Sequence, residues 1–221
     1  MGLLQGIFGR RDQVKVLKES KSIYIESQAG FMTELPVIPN LIIIGGSSRN
    51  VGKTSLALKL IEQLAPLEKV TGLKVTSLRP GEDTYHGDHD NLQKNNFGIR
   101  EELDRETSKD TSRMLRAGAE RVFFIESPDH LLESAFHDFM KVHYSGGPLV
   151  CESRSLRRAV IPGLFVLLKH YNKNLIKPDF EYYESLADII FQIHPQIINS
   201  ESLAQHITWG ASGWKLNHTE E

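Results

Sequence analysis

The stretch that decides the fold is residues 41–55, which read LIIIGGSSRNVGKTS. An apolar run of strand length enters a glycine-rich turn, and the turn closes on Gly52, Lys53 and Thr54. A helical pattern starts directly behind it, with apolar residues on one face at Ala57, Leu60, Ile61 and Leu64. A strand, a glycine-rich turn ending in Gly-Lys-Thr and a helix, in this order, predict a P-loop, the element that holds the phosphates of a nucleoside triphosphate.

Each part of the predicted P-loop has a physical role. Successive backbone N–H groups of the turn point at the β-phosphate, and the helix N-terminus adds its partial positive charge. Lys53 reaches the β- and γ-phosphate oxygens, and the Thr54 hydroxyl ligates Mg²⁺. One position departs from the usual pattern, because Ser47 stands five residues before Gly52, where a glycine is expected, and Gly46 lies six before.

Composition sets the class of protein. The chain has 221 residues, of which 40% are hydrophobic and 24% are charged, as in an ordinary soluble globular domain. Its net charge is −2 and no basic block stands out, so nucleic acid is not expected as a partner. The longest apolar runs are strand-sized, so no membrane span is expected. Cys151 is the single cysteine, which excludes a disulfide framework and a thiolate metal site, and a cytoplasmic location is the expectation.

Strand and helix signals alternate along the chain from Leu41 onward. Residues 1–40 are predicted to be an N-terminal extension that packs on the main domain, and residues 41–221 to be the nucleotide-binding domain. Helices are predicted behind the P-loop, near Thr111–Ala117 and over 128–141. Such alternation predicts an α/β fold of the P-loop NTPase type, with a mainly parallel sheet, helices on both faces and ligands at the carboxyl ends of the strands. The predicted strands are Leu41–Gly45, Thr71–Thr76, Arg121–Glu126, Leu149–Ser153, Leu164–Lys169 and Ala187–Ile193.

Residues 80–109 break this alternation. The segment is polar, nearly free of apolar periodicity and much longer than an ordinary connection. Two interpretations stay open, a lid or substrate loop near the phosphates and a plainly disordered segment. A His/Asp cluster inside it is either a transition-metal site or a chance collection in a polar loop. Its members are Asp83, His86, Asp88, His89 and Asp90.

Two further side chains are predicted to reach the phosphate site from strand ends. Glu152 follows the apolar run 149–151, which is where P-loop proteins place the acid that holds Mg²⁺ or orients the attacking group. Lys74, near the end of the second predicted strand, points at the same crevice and neutralises phosphate or substrate charge. The alternative for each residue is a solvated side chain at a strand end.

An ordered series of residues carries a family resemblance. The series is Lys74-Val75-Thr76, then Pro80-Gly81, then Lys109-Asp110-Thr111-Ser112-Arg113 and Arg116-Ala117-Gly118-Ala119. It resembles the molybdopterin-guanine dinucleotide biosynthesis protein B family, which has a lysine-threonine strand end, a Pro-Gly pair and a Lys-Asp-Ser/Thr…Arg…Ala-Gly-Ala helix. The segment Glu82–Ser108 separates the Pro-Gly pair from Lys-Asp here. The turn from Gly46 to Thr54 is also similar to that of dethiobiotin synthetase and the cobyrinic acid amidases, and the resemblance covers residues 41–153.

This resemblance implies a protein that binds GTP or ATP with Mg²⁺, hydrolyses the nucleotide slowly, and works as a homodimer or with a partner biosynthetic enzyme. It also implies a place for Asp110 near the metal or the phosphates. The predicted metal ligands are then Thr54, Glu152 and Asp110, and the predicted catalytic residues are Lys53 and Glu152. The predicted nucleotide-binding residues are Gly46, Ser47, Arg49, Asn50, Val51, Gly52, Lys53, Thr54, Ser55, Lys74 and Asp110.

Three functions stay open at this level. The first, with GTP favoured, is an accessory NTPase similar to the molybdopterin-guanine dinucleotide biosynthesis family. The second is an ATP-dependent small-molecule kinase or ligase of the dethiobiotin synthetase type, in which residues 80–109 close over an acceptor. The third is a non-enzymatic module in which nucleotide orders a loop for a partner. Asn172-Lys173-Asn174 resembles the guanine-reading Asn-Lys-x-Asp motif, but Leu175 replaces the aspartate, so the choice between guanine and adenine is open.

Overall fold

The computed structural model of the protein describes residues 14–16, 24–26, 32–78, 96–194 and 200–217. The strands are β1 Val14–Val16, β2 Tyr24–Glu26, β3 Met32–Glu34, β4 Val37–Gly46, β5 Thr71–Leu78, β6 Gly98–Glu102, β7 Arg121–Pro128, β8 Leu149–Glu152, β9 Ile161–His170, β10 Ile189–Ile193, β11 Ile207–Gly210 and β12 Gly213–Leu216. The helices are α1 Lys53–Leu64, α2 Asp110–Arg116, α3 Leu132–Val142, α4 Phe180–Glu184 and α5 Ser200–Ala204. Short 3₁₀ turns lie at Asp129–Leu131, Ser155–Arg158 and Lys173–Leu175.

The main sheet has eight strands in the order β1-β10-β9-β4-β8-β5-β7-β6. The six inner strands run parallel, and the edge strands β1 and β6 are antiparallel to their neighbours. Two hairpins, β2–β3 and β11–β12, stand apart from this sheet. The predicted α/β architecture with a mainly parallel sheet is therefore confirmed, and each of the six predicted strands is present.

Helices cover both faces of the sheet. Helices α1, α2 and α5 pack on the face to which Ile42 and Ile44 belong. Helices α3 and α4 pack on the opposite face, with Leu41 and Ile43. All four residues of this run are 0% exposed, because a strand at the centre of a doubly covered parallel sheet has no solvent face.

Strand β4 lies at the point where the topology changes direction. From β4 the chain builds β5, β7 and β8 on one side and then β9 and β10 on the other. Connections that leave in opposite directions open a crevice at the carboxyl ends of the strands between them. The turn between β4 and α1 lies in this crevice.

The segment 80–109 includes a strand that the sequence did not predict. Its second half contains β6, which pairs antiparallel with β7 at the edge of the sheet. The hydrophobic pattern of the sequence does not reveal this strand, because Ile99 is the only aliphatic side chain of β6 that packs on the core, while Arg100 and Glu101 are exposed. The His/Asp cluster at 83–90 lies outside the described residues.

The predicted extension at 1–40 overlaps the domain. Strand β4 begins at Val37, so the last residues of the extension belong to the central strand of the sheet. The C-terminal hairpin packs on the same segment, because Nε1 of the buried Trp214 donates a 2.8 Å hydrogen bond to the Asn40 carbonyl. No helix in the described part of the chain is long and apolar enough to cross a membrane.

Candidate functional site

The turn from Gly45 to Ser55 is tightly folded. A Cβ on Gly46 would lie 2.5 Å from Cγ1 of Val51, so only glycine permits this approach of the turn to itself. Asn50 and Gly52 have positive φ angles of 57° and 97°. Gly52 immediately precedes α1, and this left-handed backbone directs the chain into the helix at Lys53.

Ser47, which stands where a glycine is usual, anchors the turn to the end of β9. Its N–H donates to the Leu168 carbonyl at 2.9 Å, and its Oγ accepts from the His170 N–H at 2.8 Å. Its carbonyl accepts from the Lys177 N–H at 3.0 Å. The residue is 0% exposed, so its side chain belongs to the scaffold rather than to the surface of the crevice.

A cleft of about 840 Å³ opens beside the turn. Of the predicted site residues, only Gly46, Ser47 and Val51 are absent from its lining, and the last two are fully buried. Arg113, one helical turn after Asp110, lines the cleft although the predicted set does not include it. The lining consists of Arg49, Asn50, Gly52, Lys53, Thr54, Ser55, Lys74, Asp110, Arg113 and Glu152. These residues are polar or glycine, which suits a charged ligand rather than an apolar one.

Thr54 and Glu152 meet at the floor of the cleft. The Thr54 hydroxyl donates a 2.7 Å hydrogen bond to Oε2 of Glu152. Register explains the contact, because β8 pairs with β4 and places Glu152 opposite Ile44, just before the turn. Glu152 is 7% exposed, so its carboxylate is largely withdrawn from water and faces the first turn of α1. A hydroxyl and a carboxylate are oxygen donors of the kind that Mg²⁺ uses with one or two carboxylates and several waters.

Lys74 and Asp110 form an ion pair in the cleft lining. Lys74 Nζ donates to Oδ2 of Asp110, the first residue of α2, and Arg113 Nη1 lies 3.4 Å from Oδ1. Partial burial acts to raise the pKa of Asp110, but the hydrogen bond from Lys74 and the two nearby cations outweigh it and lower that pKa. Asp110 is therefore ionised and oriented, as the predicted role near metal or phosphate requires.

Lys53 differs from Lys74 in its partners. Its Nζ donates to the Ser48 carbonyl at 3.3 Å, and it forms no ion pair with any described carboxylate. Burial is the main cause that lowers the pKa of its ammonium group, and the Lys74 charge adds to this effect while the Glu152 carboxylate opposes it. A desolvated cation of this kind gains more from an incoming anion than a solvated one does.

The charges of the lining favour an anion. Four cationic side chains, Arg49, Lys53, Lys74 and Arg113, face two carboxylates, Glu152 and Asp110. The whole chain has a net charge of −2, so the positive excess is a local property of this cleft. A cleft whose lining carries an excess of one sign of charge concentrates ligands of the opposite sign.

The other candidates from the sequence do not join this cleft. Within the described ranges, no group of three or more His, Cys, Asp or Glu side chains is placed to hold a metal ion. The Asn172 carboxamide oxygen accepts from the Asn174 N–H at 3.0 Å and caps a 3₁₀ turn. Arg154 and Arg158, which follow Glu152 in the sequence, pair with Asp179 and Asp129 and do not line the cleft.

Fold and site together define an α/β protein with a mainly parallel sheet and a polar cleft, with excess positive charge, at the topological switch point. Comparison with protein-family models gives no match, and no curated protein and no solved structure matches the chain.

Proposed function

We propose that the protein binds a nucleoside triphosphate with Mg²⁺ in this cleft and hydrolyses it slowly, with GTP favoured, in the service of a partner biosynthetic enzyme. The observation that carries the proposal is the state of Lys53. Its ammonium group is desolvated at the start of α1, has a carbonyl oxygen as its acceptor, and stands beside the Thr54–Glu152 hydrogen bond. The preference for GTP and the partner enzyme rest on the resemblance of residues 41–153 to the molybdopterin-guanine dinucleotide biosynthesis protein B family.

The triphosphate would be bound mainly by charge. The N-terminus of α1 and Lys53 act on the β- and γ-phosphates, and Lys74 and Arg113 add two further cationic side chains of the same lining. Negative charge beside Lys53 would oppose the effect of burial on its pKa and favour the charged ammonium group. Lys74 already donates a hydrogen bond to a carboxylate oxygen of Asp110. A phosphate oxygen is also an anionic acceptor and can take the place of that oxygen.

The residues that would hold Mg²⁺ are Thr54, Glu152 and Asp110. The ion, when bound, would supply neutralisation of the charge that develops on the phosphate oxygens. The Thr54–Glu152 hydrogen bond supports this assignment because it fixes two oxygen donors in one place before any ligand enters. Glu152 also serves to orient the attacking water, and the remaining catalysis is positioning and charge neutralisation. Such a site supports slow turnover, because the second carboxylate of the described cleft lining, Asp110, is paired with Lys74.

A second candidate is an ATP-dependent kinase or ligase for an anionic small molecule. It is favoured by the continuation of charged side chains along the same sheet face beyond Lys74. Glu126, at the end of β7, is 0% exposed and pairs with Arg100 of β6. An acceptor carboxylate placed between Lys74 and Arg113 would lie next to the γ-phosphate position. Turnover that requires an added metabolite would select this candidate.

The experiment is a calorimetric titration of the wild type and Lys53→Ala with non-hydrolysable GTP and ATP analogues in the presence of Mg²⁺. Loss of the charged contact should weaken binding by about 10- to 150-fold, the equivalent of about 1.5–3 kcal/mol. Lys59→Ala is the matched control, because Lys59 lies on the same helix but pairs with Glu62 and Glu201 outside the cleft.

Three results separate the functions. Micromolar binding that prefers guanine, with slow phosphate release from GTP alone, supports the accessory NTPase. A preference for adenine, with phosphate release only in the presence of an acceptor, supports the kinase or ligase. Absence of binding to either analogue, or equal binding by Lys53→Ala, would remove the proposal.

A further inference from the structure

The ion pair between Lys74 and Asp110 can be reached from the cleft. Lys74 Nζ donates to Oδ2 of Asp110, and both residues belong to the cleft lining. Their side chains are 28% and 27% exposed, so the pair is neither sealed in the core nor fully solvated. An anion that enters the cleft can therefore compete with Asp110 for the Lys74 ammonium group.

Asp110 has further partners that do not depend on Lys74. Arg113 Nη1 lies 3.4 Å from Oδ1, the carboxylate oxygen that Lys74 does not use. Partial burial acts to raise the pKa of Asp110, and it is outweighed by the hydrogen bond and charge of Lys74, the charge of Arg113 and a hydrogen bond from Thr54. If Lys74 leaves, Arg113 and Thr54 still stabilise the carboxylate. The pair can therefore open without leaving an isolated, partly buried charge.

Lys74 approaches the cleft from a different strand than the turn does. It belongs to β5, which is separated from β4 by β8, so its strand lies roughly 10 Å from the strand that leads into the turn. The turn supplies its own cation, Lys53, at the start of α1. In the proposed binding mode the turn and Lys53 hold the β-phosphate. Lys74 is then placed for the phosphate that extends beyond it toward β8 and β5, which is the γ-phosphate.

We propose that the Lys74–Asp110 ion pair distinguishes a nucleoside triphosphate from a diphosphate. Lys74 leaves Asp110 for a γ-phosphate oxygen, and it stays with Asp110 when the bound ligand ends at the β-phosphate. The exchange moves one hydrogen-bond donor between two anionic acceptors, and no covalent bond forms or breaks. This inference rests on the proposed function, because it takes the orientation of the triphosphate from that site.

The exchange gives Asp110 two opposite effects on triphosphate binding. Without a divalent cation, Asp110 competes with the γ-phosphate for Lys74 and weakens binding. With Mg²⁺ present, the carboxylate that Lys74 has left is one of the proposed metal ligands, so Asp110 strengthens binding. The sign of an Asp110 substitution should therefore depend on Mg²⁺, whereas removal of Lys74 should weaken triphosphate binding in both conditions.

The first test removes the Lys74 charge. Lys74→Met keeps a long unbranched side chain, and calorimetry measures its affinity for a non-hydrolysable GTP analogue and for GDP, in Mg²⁺ and in EDTA; the ATP analogue and ADP replace them if the wild type prefers adenine. The triphosphate analogue should bind about 10- to 150-fold more weakly than to the wild type, and the diphosphate should bind as before. Lys169→Met is the matched control, because Lys169 pairs with Glu184 outside the cleft lining and the two side chains are 30% and 25% exposed.

The second test releases Lys74 from its partner. In EDTA, Asp110→Asn should bind the triphosphate analogue about 2- to 10-fold more tightly than the wild type, since one hydrogen bond no longer has to be exchanged. In Mg²⁺ it should bind more weakly than the wild type. The double variant Lys74→Met/Asp110→Asn separates the exchange from simple repulsion between Asp110 and phosphate. Exchange predicts a smaller gain in EDTA when Lys74 is absent, because Arg113 remains beside residue 110 in both backgrounds.

Each outcome bears on the exchange separately from the triphosphate site. If Lys74→Met weakens the diphosphate as much as the triphosphate, or neither, the exchange is overturned while the proposed function stands. A gain from Asp110→Asn in EDTA that is as large without Lys74 as with it also overturns the exchange, because repulsion alone would explain it. A wild type that binds neither triphosphate nor diphosphate overturns the proposed function, and the exchange with it.

Discussion

The Thr54 hydroxyl donates a 2.7 Å hydrogen bond to Oε2 of Glu152, and this bond joins residues 98 positions apart in the chain. It links the first turn of α1 to the end of β8. Both partners face the cleft, and Glu152 also stands opposite Lys74 in the register of β8 with β5. This pair of side chains thus joins the turn at the start of α1 to the end of β8, next to Lys74, in a single site.

Substitution of Glu152 by glutamine should uncouple Mg²⁺ from nucleotide binding. The amide can still accept a hydrogen bond from Thr54, but it carries no charge for a divalent cation. Affinity for the GTP analogue in Mg²⁺ should fall by about 10- to 150-fold, since a hydrogen bond to a charged group contributes about 1.5–3 kcal/mol. The measurement is titration in Mg²⁺ and again in EDTA, where the two proteins should differ little. Glu184→Gln is the control, because Glu184 pairs with Lys169 outside the cleft; an unchanged Mg²⁺ dependence in Glu152→Gln would argue against its role.

The Lys74–Asp110 ion pair should make stability depend on pH in the acidic range. The pKa of Asp110 is lower in the folded state than in the unfolded chain, so the unfolded state binds more protons between the two values. The contribution is therefore complete above the unfolded pKa of about 3.9 and is lost as the pH falls through the folded value. At pH 7, Asp110→Asn should be less stable than the wild type by about 1 kcal/mol, and the difference should vanish in acid. Chemical denaturation across this range checks it.

Glu62→Gln supplies the reference for that experiment. Glu62 is 53% exposed and lies 3.9 Å from Lys59, so its ion pair should contribute little at any pH. A difference between Asp110→Asn and the wild type that stays constant into acid would contradict the assigned direction of the Asp110 pKa.

Ser47→Ala should destabilise the fold, while Ser48→Ala should not. The Ser47 hydroxyl accepts from the His170 N–H in a fully buried position, and its removal leaves that donor without its acceptor. The expected loss is about 1–3 kcal/mol of unfolding free energy. Ser48 is the matched neighbour, because its buried Oγ has no hydrogen-bond partner within the described residues. Thermal unfolding of the two variants measures the contrast, and equal melting temperatures would disprove the anchoring role of Ser47.

Gly46→Ala should distort the turn. The added Cβ would lie 2.5 Å from Cγ1 of Val51. Because Val51 is itself buried in the core, its side chain has little room to move away from the new Cβ. We expect a loss of about 1–3 kcal/mol in stability, as for overpacked cores, and weaker binding of both nucleotide and inorganic triphosphate. Gly210→Ala is the control, because a Cβ there meets nothing within 4 Å. If Gly46→Ala is as stable as Gly210→Ala and binds nucleotide and inorganic triphosphate equally well, the turn tolerates a Cβ at residue 46 and the prediction is wrong.

The local elements could be predicted from the sequence because their causes are local. Four buried apolar residues in a row, a glycine-rich turn and a 3.6-residue period specify a strand, a turn and a helix within residues 41–64. The same reasoning located Lys53 and Thr54 at the helix start and Glu152 at a strand end. Strand β6 was not predicted, because its charged residues are exposed at the edge of the sheet and its sequence shows no alternation of apolar and polar residues.

The sequence by itself determined the order of strands and helices along the chain and the residue types available at each strand end. Only the tertiary structure decided which strand ends are neighbours, because sheet order and register arise from contacts between distant segments. The sheet order places Glu152 between Ile44 and Lys74. It also brings Asp110 and Arg113 to the same cleft. The Ser47 hydroxyl is hydrogen-bonded to the end of β9 for the same reason. Periodicity and glycine spacing act over a few residues, whereas these contacts depend on the packing of the whole sheet.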